Sequence, residues 1–296
     1  MILFPNAKIN LGLKVLRKRD DGFHDLETIF YPVKFNDALE LIEDKDPHGF
    51  IKFSVSGLPI MGNEEDNLCT QAYYLLKRDF PQLPPVKIHL HKAIPMGAGL
   101  GGGSADGAFV LKILNEKFNL NLSIPQLLNY AAALGSDGPF FIINRPCFAT
   151  GRGDILEEIQ LNLSAYKIIL INPGIHISTA WAFSQLEFAM GSDGYKHSDP
   201  YNIIQQPIHT WKDTLHNDFE TPVFAKYPEI KKAKEQLYND GAIYASMSGS
   251  GSTVFGIFGN AVSVVDNAVS VVEPSLTASF ERSRETGINI ISTTFL

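Results

Sequence analysis

The segment "PMGAGLGGGSADGA" (95–108) carries five glycines in the seven residues from Gly97 to Gly103, and the chain then turns apolar. Ordering glycine is costly, because it loses more backbone freedom on folding than any other residue. Placed directly ahead of a helical pattern, such a run suits one task. Glycines let the backbone approach an anion, and a helix N-terminus offers free N–H groups and the positive end of its dipole. The stretch therefore reads as a phosphate cradle. It contains no basic residue, so the cation must come from elsewhere, and Lys8 and Lys92 are the candidates. Lys8 is the less ordinary of the two, being embedded in the strand-like "NAKINLGL".

Three familiar phosphate fingerprints fit poorly. Gly97, Gly99 and Gly102 match G-x-G-x-x-G, but a dinucleotide fold needs a second strand ending in an acid about 20 residues on. Here "NLNLSIPQ" leads into another helix, and Pro95 separates the loop from its strand. A Walker loop needs Gly-Lys-Ser/Thr at the helix start, and the loop has no lysine. The protein-kinase triplets HRD and DFG are both absent. A second glycine loop, "SGSGS" (248–252), is either a hairpin turn or a second nest of N–H groups, and its company favours the nest.

The elements that must position these loops are legible as patterns. "AKINLGLKVL" alternates apolar residues at Ile9, Leu11, Leu13 and Val15, a strand. An Asp-Gly turn leads into a second strand in "DGFHDLETIFYPVKF", and "DALELI", "GFIKFSV" and "VKIHLHKAI" read as three more. "DNLCTQAYYLLKRDF" has helical spacing with Asp66 as its N-cap. A helix follows the glycines, with apolar residues at 109, 110, 113, 114 and 118. Another opens at Ser123 and Pro125. "GSDGPFFII" reads as a turn into a strand. Beyond the glycine turn at Gly151 to Asp154, "YKIILINPG" is a strand, "TAWAFSQLEF" and "EIKKAKEQLYN" are helical, and "AIYASMSGSGSTVFGIF" is two strands around the second loop. In "NAVSVVDNAVSVV" (260–272) the seven-residue repeat favours a packed helix over a strand.

Composition narrows the class. The 296 residues suggest two domains, divided as 1–156 and 157–296 at the change of pattern. A net charge of −7 argues against a general nucleic-acid or membrane-surface binder. No apolar run reaches the roughly 18 residues of a membrane span, and the N-terminus lacks a signal-peptide pattern. Two cysteines, Cys69 and Cys147, exclude a disulfide framework and fit a reducing cytoplasm. His89 and His91 alternate with Ile88 and Leu90 as a polar strand face, and no metal site is expected from them.

The motifs together resemble a known family. "PMGAGLGGGSADGA" is similar to the second motif of the GHMP small-molecule kinases, and "MSGSGSTVFGIF" to their third. "NAKINLGLKVLRKRDDGFHDLETIF" (6–30), "EDNL" (65–68) and "LGSDGPFF" (134–141) resemble the branch that phosphorylates a cytidine diphosphate-linked methylerythritol in the non-mevalonate isoprenoid pathway. The first of these is the specific segment.

The resemblance implies an α+β, two-domain GHMP kinase fold. Its N-terminal half would be ribosomal-protein-S5-like and its C-terminal half ferredoxin-like. It implies ATP as cosubstrate with Mg2+, a small-molecule substrate, no nucleic-acid or membrane partner, and a monomer or weak homodimer. Asp137 takes the position of the catalytic base, and Lys8 that of the lysine that keeps the base ionised and offsets phosphoryl charge. Pro95, Met96, Gly97, Ala98, Gly99, Leu100, Gly101, Gly102, Gly103, Ser104 and Ala105 would hold the ATP phosphates, with Ser104 touching phosphate or the magnesium shell. Asn67, Leu68 and Lys92 match positions lining the adenine. Asn10 would orient the reacting end of the substrate, Phe23 and His24 would read the cytosine, Phe183 would flank it, and Thr179 lies nearby. Three positions depart from the family pattern: Phe23 replaces the usual Tyr, Gly138 replaces a small apolar residue and is expected to loosen the catalytic turn, and Asn6 replaces a Pro or Ser. Two other readings stay open on the same scaffold: a homoserine- or mevalonate-type kinase, and a silent nucleotide-binding regulator.

Overall fold

The structure is a computed structural model that describes residues 1–46, 49–60, 62–186, 199–259, 279–282 and 289–294. The valine-rich repeat at 260–272 lies outside the described residues. The chain opens with β1 (Ile2–Leu3), β2 (Asn6–Lys18), β3 (His24–Asn36), β4 (Ala38–Glu43) and β5 (Lys52–Gly57). Helix α1 (Leu68–Asp79) and β6 (Val86–Lys92) follow, then α2 (Gly102–Lys117), α3 (Ile124–Leu134) and α4 (Gly138–Ile143). Next come β7 (Cys147–Thr150), β8 (Ile155–Glu158) and β9 (Tyr166–Asn172). After them run α5 (Thr179–Ser184), α6 (Pro200–Ile204), α7 (Trp211–Thr214), α8 (Glu220–Lys226) and α9 (Pro228–Asn239). Strands β10 (Tyr244–Met247), β11 (Val254–Gly259), β12 (Ser279–Arg282) and β13 (Asn289–Thr294) end the described chain. By compactness it divides into two units, neither continuous in sequence. One is Met1–Ala7, Phe35–Met96 and Gly101–Arg145; the other is the remainder.

In the first unit a four-stranded sheet has the order β1-β4-β6-β5. Strands β5 and β6 are parallel and joined through α1, while the other pairs are antiparallel. The alternation in "VKIHLHK" is realised in full: Val86, Ile88, Leu90 and Lys92 are buried, and Lys87, His89 and His91 are exposed. His89 and His91 hydrogen-bond Ser54 and Ser56 on the neighbouring strand, as a polar face should. Helix α2 carries an almost unbroken buried stripe from Ala105 to Leu114.

Two local expectations need correction here. Helix α1 is capped by Asn67, whose extended backbone turns its side chain to accept from the Cys69 N–H at 2.9 Å. Asp66 sits one step earlier, in a short 3₁₀ turn. "GPFFII" is a helix, not a strand. A short apolar run fits a buried helix and a buried strand equally well, and Pro139 in the first turn fits the helix without losing a bond. Five of its six residues, from Gly138 to Ile142, are buried. Gly138 is no loosening of this turn. A Cβ there would overlap the Ala131 carbonyl of α3, so glycine is what lets α4 begin so close to α3.

Lys112, on α2, donates to the Phe141 carbonyl at 2.6 Å, where α4 ends. Burial pulls its ammonium down from the ordinary 10.5 to about 8. The unfolded chain therefore holds more protons than the folded one between pH 8 and 10.5, and stability must rise with pH across that window. The expected outcome is that wild type gains on Lys112→Met by up to about 3 kcal/mol from pH 8 to 10.5. Urea unfolding of both proteins at several pH values checks it, and parallel profiles would rule it out.

The second unit holds two sheets, with orders β2-β3-β7-β8 and β10-β11-β9-β13-β12. The five-stranded sheet is antiparallel throughout. Ile169, Ile171, Val254 and Phe258 from it pack with Phe219, Val223, Ile230 and Leu237 of the helical segment. Strand β2 departs from a half-buried alternation. Every residue from Asn6 to Leu13 is buried, so its polar positions Lys8 and Asn10 face other protein groups and not water.

Candidate active site

The glycine loop has a regular backbone. Gly97, Gly99 and Gly101 have φ of +63°, +78° and +70°, with Ala98 and Leu100 buried between them. At Gly99 the requirement is double: φ is positive, and a Cβ would overlap the Ser248 carbonyl. The loop is held by three bonds. Thr253 N donates to the Ala98 carbonyl (3.2 Å), Ser248 Oγ to the Gly99 carbonyl (2.7 Å), and Lys8 N to the Leu100 carbonyl (2.9 Å). Gly101 caps α2 without a side-chain bond, which leaves the first turn from Gly102 through Ser104 with backbone donors uncovered by any cap. Ala105 N turns back to the Gly101 carbonyl, closing the first turn, and Met96 covers Gly103. Pro95 lies between the end of β6 at Lys92 and the loop.

The second glycine loop is anchored by residues that the sequence patterns did not reveal. Asn217 Nδ2 donates to the Met247 and Gly249 carbonyls, both at 2.8 Å, and its Oδ1 accepts from Phe219 N. Glu220 Oε1 accepts from Met247 N at 2.8 Å, fixing the end of β10. Ser248 is fully buried and accepts from Asn10 N at 3.2 Å. Thr179 meets Ser250 across 3.1 Å. "HNDFE" and "SMSGS" carried these groups in plain view, but which backbone each would hold depends on topology.

Lys8 and Asn10 share a face of β2, as their spacing requires. Lys8 Nζ donates to Asn10 Oδ1 at 2.6 Å and lies 4.8 Å from the centroid of the Phe30 ring. Asn10 Nδ2 donates in turn to Thr28 Oγ1 at 3.0 Å. Lys8 is thus a buried ammonium in a polar row.

Lys92 has a different setting. Its Nζ donates to Asp37 Oδ2 at 2.5 Å and to Asp106 Oδ2 at 2.8 Å, and its side chain is 0% exposed. It is therefore not a free cation for the loop; its charge is committed beneath α2, where a Cβ on Gly102 would come within 2.9 Å of Nζ. The signal was present in the sequence, since Lys92 falls in register with Val86, Ile88 and Leu90, and a lysine on a buried strand face must be paired. Asn67 and Leu68 stand at the start of α1 against Gly107 of α2, where a Cβ would lie 3.0 Å from Leu68 Cβ. Asn67, Leu68 and Lys92, the residues expected on the adenine side, are thereby gathered against α2. Asp137 is the N-cap residue of α4, with Gly138 N bonded to the Gly135 carbonyl behind it.

The cytosine candidates form a cluster in the second unit. The His24 and Phe183 rings are stacked at 4.2 Å with 6° between planes, so no base fits between them in this arrangement. Burial, and then Lys18, hold the His24 imidazole below its usual pKa, which favours the neutral ring that can read a base edge. Phe23 is half exposed, and its other face carries the Arg152 guanidinium at 4.8 Å. Arg152 is in turn bonded to Asp154 at 3.0 Å. Phe23 therefore offers an exposed stacking face without a phenol.

Among the described residues no three His, Cys, Asp or Glu side chains converge as a metal cage, and no helix is long and apolar enough to cross a membrane. Mg2+ fits differently: it keeps its own waters and binds through phosphates and one or two hard oxygens. Ser104, in the first turn of α2, carries a hydroxyl oxygen of that kind.

Comparison with known proteins agrees with this arrangement. Residues 67–145 match the GHMP kinases N terminal domain, and residues 202–271 match the GHMP kinases C terminal domain. The 4-diphosphocytidyl-2-C-methyl-D-erythritol kinase of Bacteroides fragilis (strain YCH46) is 52% identical over 258 residues, 87% of this chain and 92% of that protein. The enzyme of the same name from Bacteroides thetaiotaomicron is 52% identical over 263 residues, with the same shares of 87% and 92%. A crystal structure of 4-(cytidine 5'-diphospho)-2C-methyl-D-erythritol kinase superposes with a TM-score of 0.70 at 30% identity, covering 87% of this chain and 90% of the other.

Proposed function

Because the chain belongs to the 4-diphosphocytidyl-2-C-methyl-D-erythritol kinases of the GHMP family, we propose that it transfers the γ-phosphoryl group of ATP to the 2-hydroxyl of 4-(cytidine 5'-diphospho)-2-C-methyl-D-erythritol. The observation that carries this reading is the 52% identity over 87% of the chain to an enzyme of that name. The buried Lys8–Asn10 pair and the two bonded glycine loops support it.

A hydroxyl is a weak nucleophile, and phosphoryl transfer is catalysed mainly by positioning and charge. In this proposal Asp137 receives the hydroxyl proton. Lys8, held by Asn10, offsets the charge on the transferring group. The N–H groups of the loop and of the first turn of α2 hold the phosphates, and Ser104 supplies an oxygen to Mg2+. Held there, Mg2+ would supply positive charge that offsets the negative charge of the phosphates. Asn67 and Leu68 line the adenine. Phe23 stacks on the cytosine, His24 reads its edge, and Phe183 and Thr179 complete that end. A division of the sequence at residue 156, a monomer or weak homodimer, and a cytoplasmic location belong to the same proposal. The burial of both cysteines, Cys69 and Cys147, supports the last.

The test is ADP release from Mg-ATP by the purified protein, with and without the cytidylylated substrate. The expected result is substrate-dependent ADP that CDP suppresses by competition. No substrate-dependent ADP would exclude the activity, and turnover of homoserine or mevalonate in its place would reassign the acceptor.

A further inference from the structure

Beneath the first turn of α2 lies a charge cluster that the proposed chemistry leaves unused. Lys92 Nζ bonds two carboxylates, Asp37 at 2.5 Å and Asp106 at 2.8 Å, and all three side chains are at most 3% exposed. The two carboxylates have different surroundings. Asp37 is fully coordinated: Oδ2 takes Lys92, and Oδ1 accepts from Ala93 N (2.6 Å) and Ile94 N (2.8 Å). Those two N–H groups belong to the stretch between β6 and the glycine loop. Asp106 accepts from Lys92 on Oδ2 and also meets the Asp37 carboxyl, while its Oδ1 has no partner among the described residues.

Taken as three full charges, the cluster would carry a net −1 in the interior, with an unsolvated carboxylate oxygen. That is among the most costly arrangements a core can contain. It would also place negative charge under the helix terminus that must attract phosphates. We propose that the cluster is a positioning device for the phosphate end of the nucleotide, with Asp37 as the ionised clamp on the loop entry and Asp106 as a neutral acid. This rests on the reading that the loop binds ATP. The remaining charges agree. Lys92 from β6 and Asp37 from before β4 face Asp106, as does the buried Cys69 thiol from α1; α4 carries no titratable group, and the acidic residues of β4 are exposed. Burial, opposed by Lys92, raises the Asp106 carboxyl well above the usual carboxylate range. Burial works against the Lys92 ammonium, and its bonds to Asp37 and Asp106 hold its pKa up.

Asp37 and Asp106 act through the loop and are positioning residues. The decisive comparison is Asp106→Asn, an isostere of the neutral acid, against Asp37→Asn. Asp106→Asn is expected to bind ATP within about twofold of wild type. Asp37→Asn is expected to weaken ATP binding about tenfold while leaving the KM for the cytidylylated substrate unchanged, a split that general misfolding does not produce. A pH arm adds an independent sign. An acid whose folded pKa is raised loses stability as pH climbs from the unfolded value through the folded one. The stability of wild type should therefore fall relative to Asp106→Asn as pH rises above about 4. The infrared spectrum of wild type should show a protonated carboxyl band that Asp106→Asn lacks.

Equal loss of ATP affinity in the two variants would make Asp106 an ionised counter-ion and overturn the proposal, as would an unshifted stability difference or a missing band. If wild type itself fails to bind ATP, the nucleotide reading fails separately, and the stability and infrared arms still decide the protonation state. The same two arms decide it if Asp37→Asn does not fold.

Discussion

Replacing Asp137 by asparagine is expected to lower kcat by a factor of about 10² to 10⁴, the usual contribution of a positioned acid or base, with the Kd for ATP essentially unchanged. The substitution keeps the size and the N-cap position of the residue at the start of α4. It removes the negative charge and, with it, the ability to take a proton. Calorimetric titration with a non-hydrolysable ATP analogue separates binding from turnover, and thermal melting checks that α4 is intact. Turnover near wild type would mean that the proton leaves by another route. Turnover and ATP affinity falling together would mean that Asp137 shapes the nucleotide site and does not serve as the base.

Gly99→Ala should produce the second large effect, on nucleotide binding. A non-glycine residue at φ of +78° costs about 1–2 kcal/mol by itself. The added Cβ also overlaps the Ser248 carbonyl and lies 3.3 Å from the Gly251 carbonyl, and backbone cannot rotate away as a side chain can. The two loops must therefore separate, which breaks the Ser248–Gly99 and Thr253–Ala98 bonds. A loss of about 3 kcal/mol or more in stability is expected, with the KM for ATP rising by about 100-fold. Gly62→Ala is the matched control: φ is +102°, but nothing lies within 4 Å of its Cβ. It should cost only the backbone strain, about 1–2 kcal/mol, and leave ATP binding alone. Equal effects of the two substitutions would refer the loss to backbone strain and not to the crossing of the loops.

What could be read from the sequence follows a physical line. Periodicity reports which side of an element is buried, so β6 and α2 were legible, as was the shared face of Lys8 and Asn10. It fails where both sides are buried: β2 looked half-buried, and "GPFFII" looked like a strand, because a run of apolar residues has no period to read. The glycine loop was legible as a tight turn ahead of a helix, since positive φ at Gly97, Gly99 and Gly101 is what glycine permits. Its supports were not. Ser248 and Asn10 are 238 positions apart, and Asn217 holds a loop 30 positions on. Such pairings are set by topology and leave no local trace. The Lys92 cluster lies between these cases, because its buried register was visible while its two partners were not.

The bonds that shape the cradle have a consequence for how the protein is made. The Gly99 carbonyl receives its hydrogen bond from a residue 149 positions later, and the Ala98 carbonyl from Thr253. On the ribosome, the glycine loop is complete in sequence long before Ser248 exists. Contacts of such separation are also the slow ones in folding, because the intervening chain must be closed first. The ability to hold a nucleotide is therefore acquired late, near the end of synthesis, and a nascent chain stopped before residue 248 carries the most recognisable motif of the molecule in a form without its hydrogen-bonded shape.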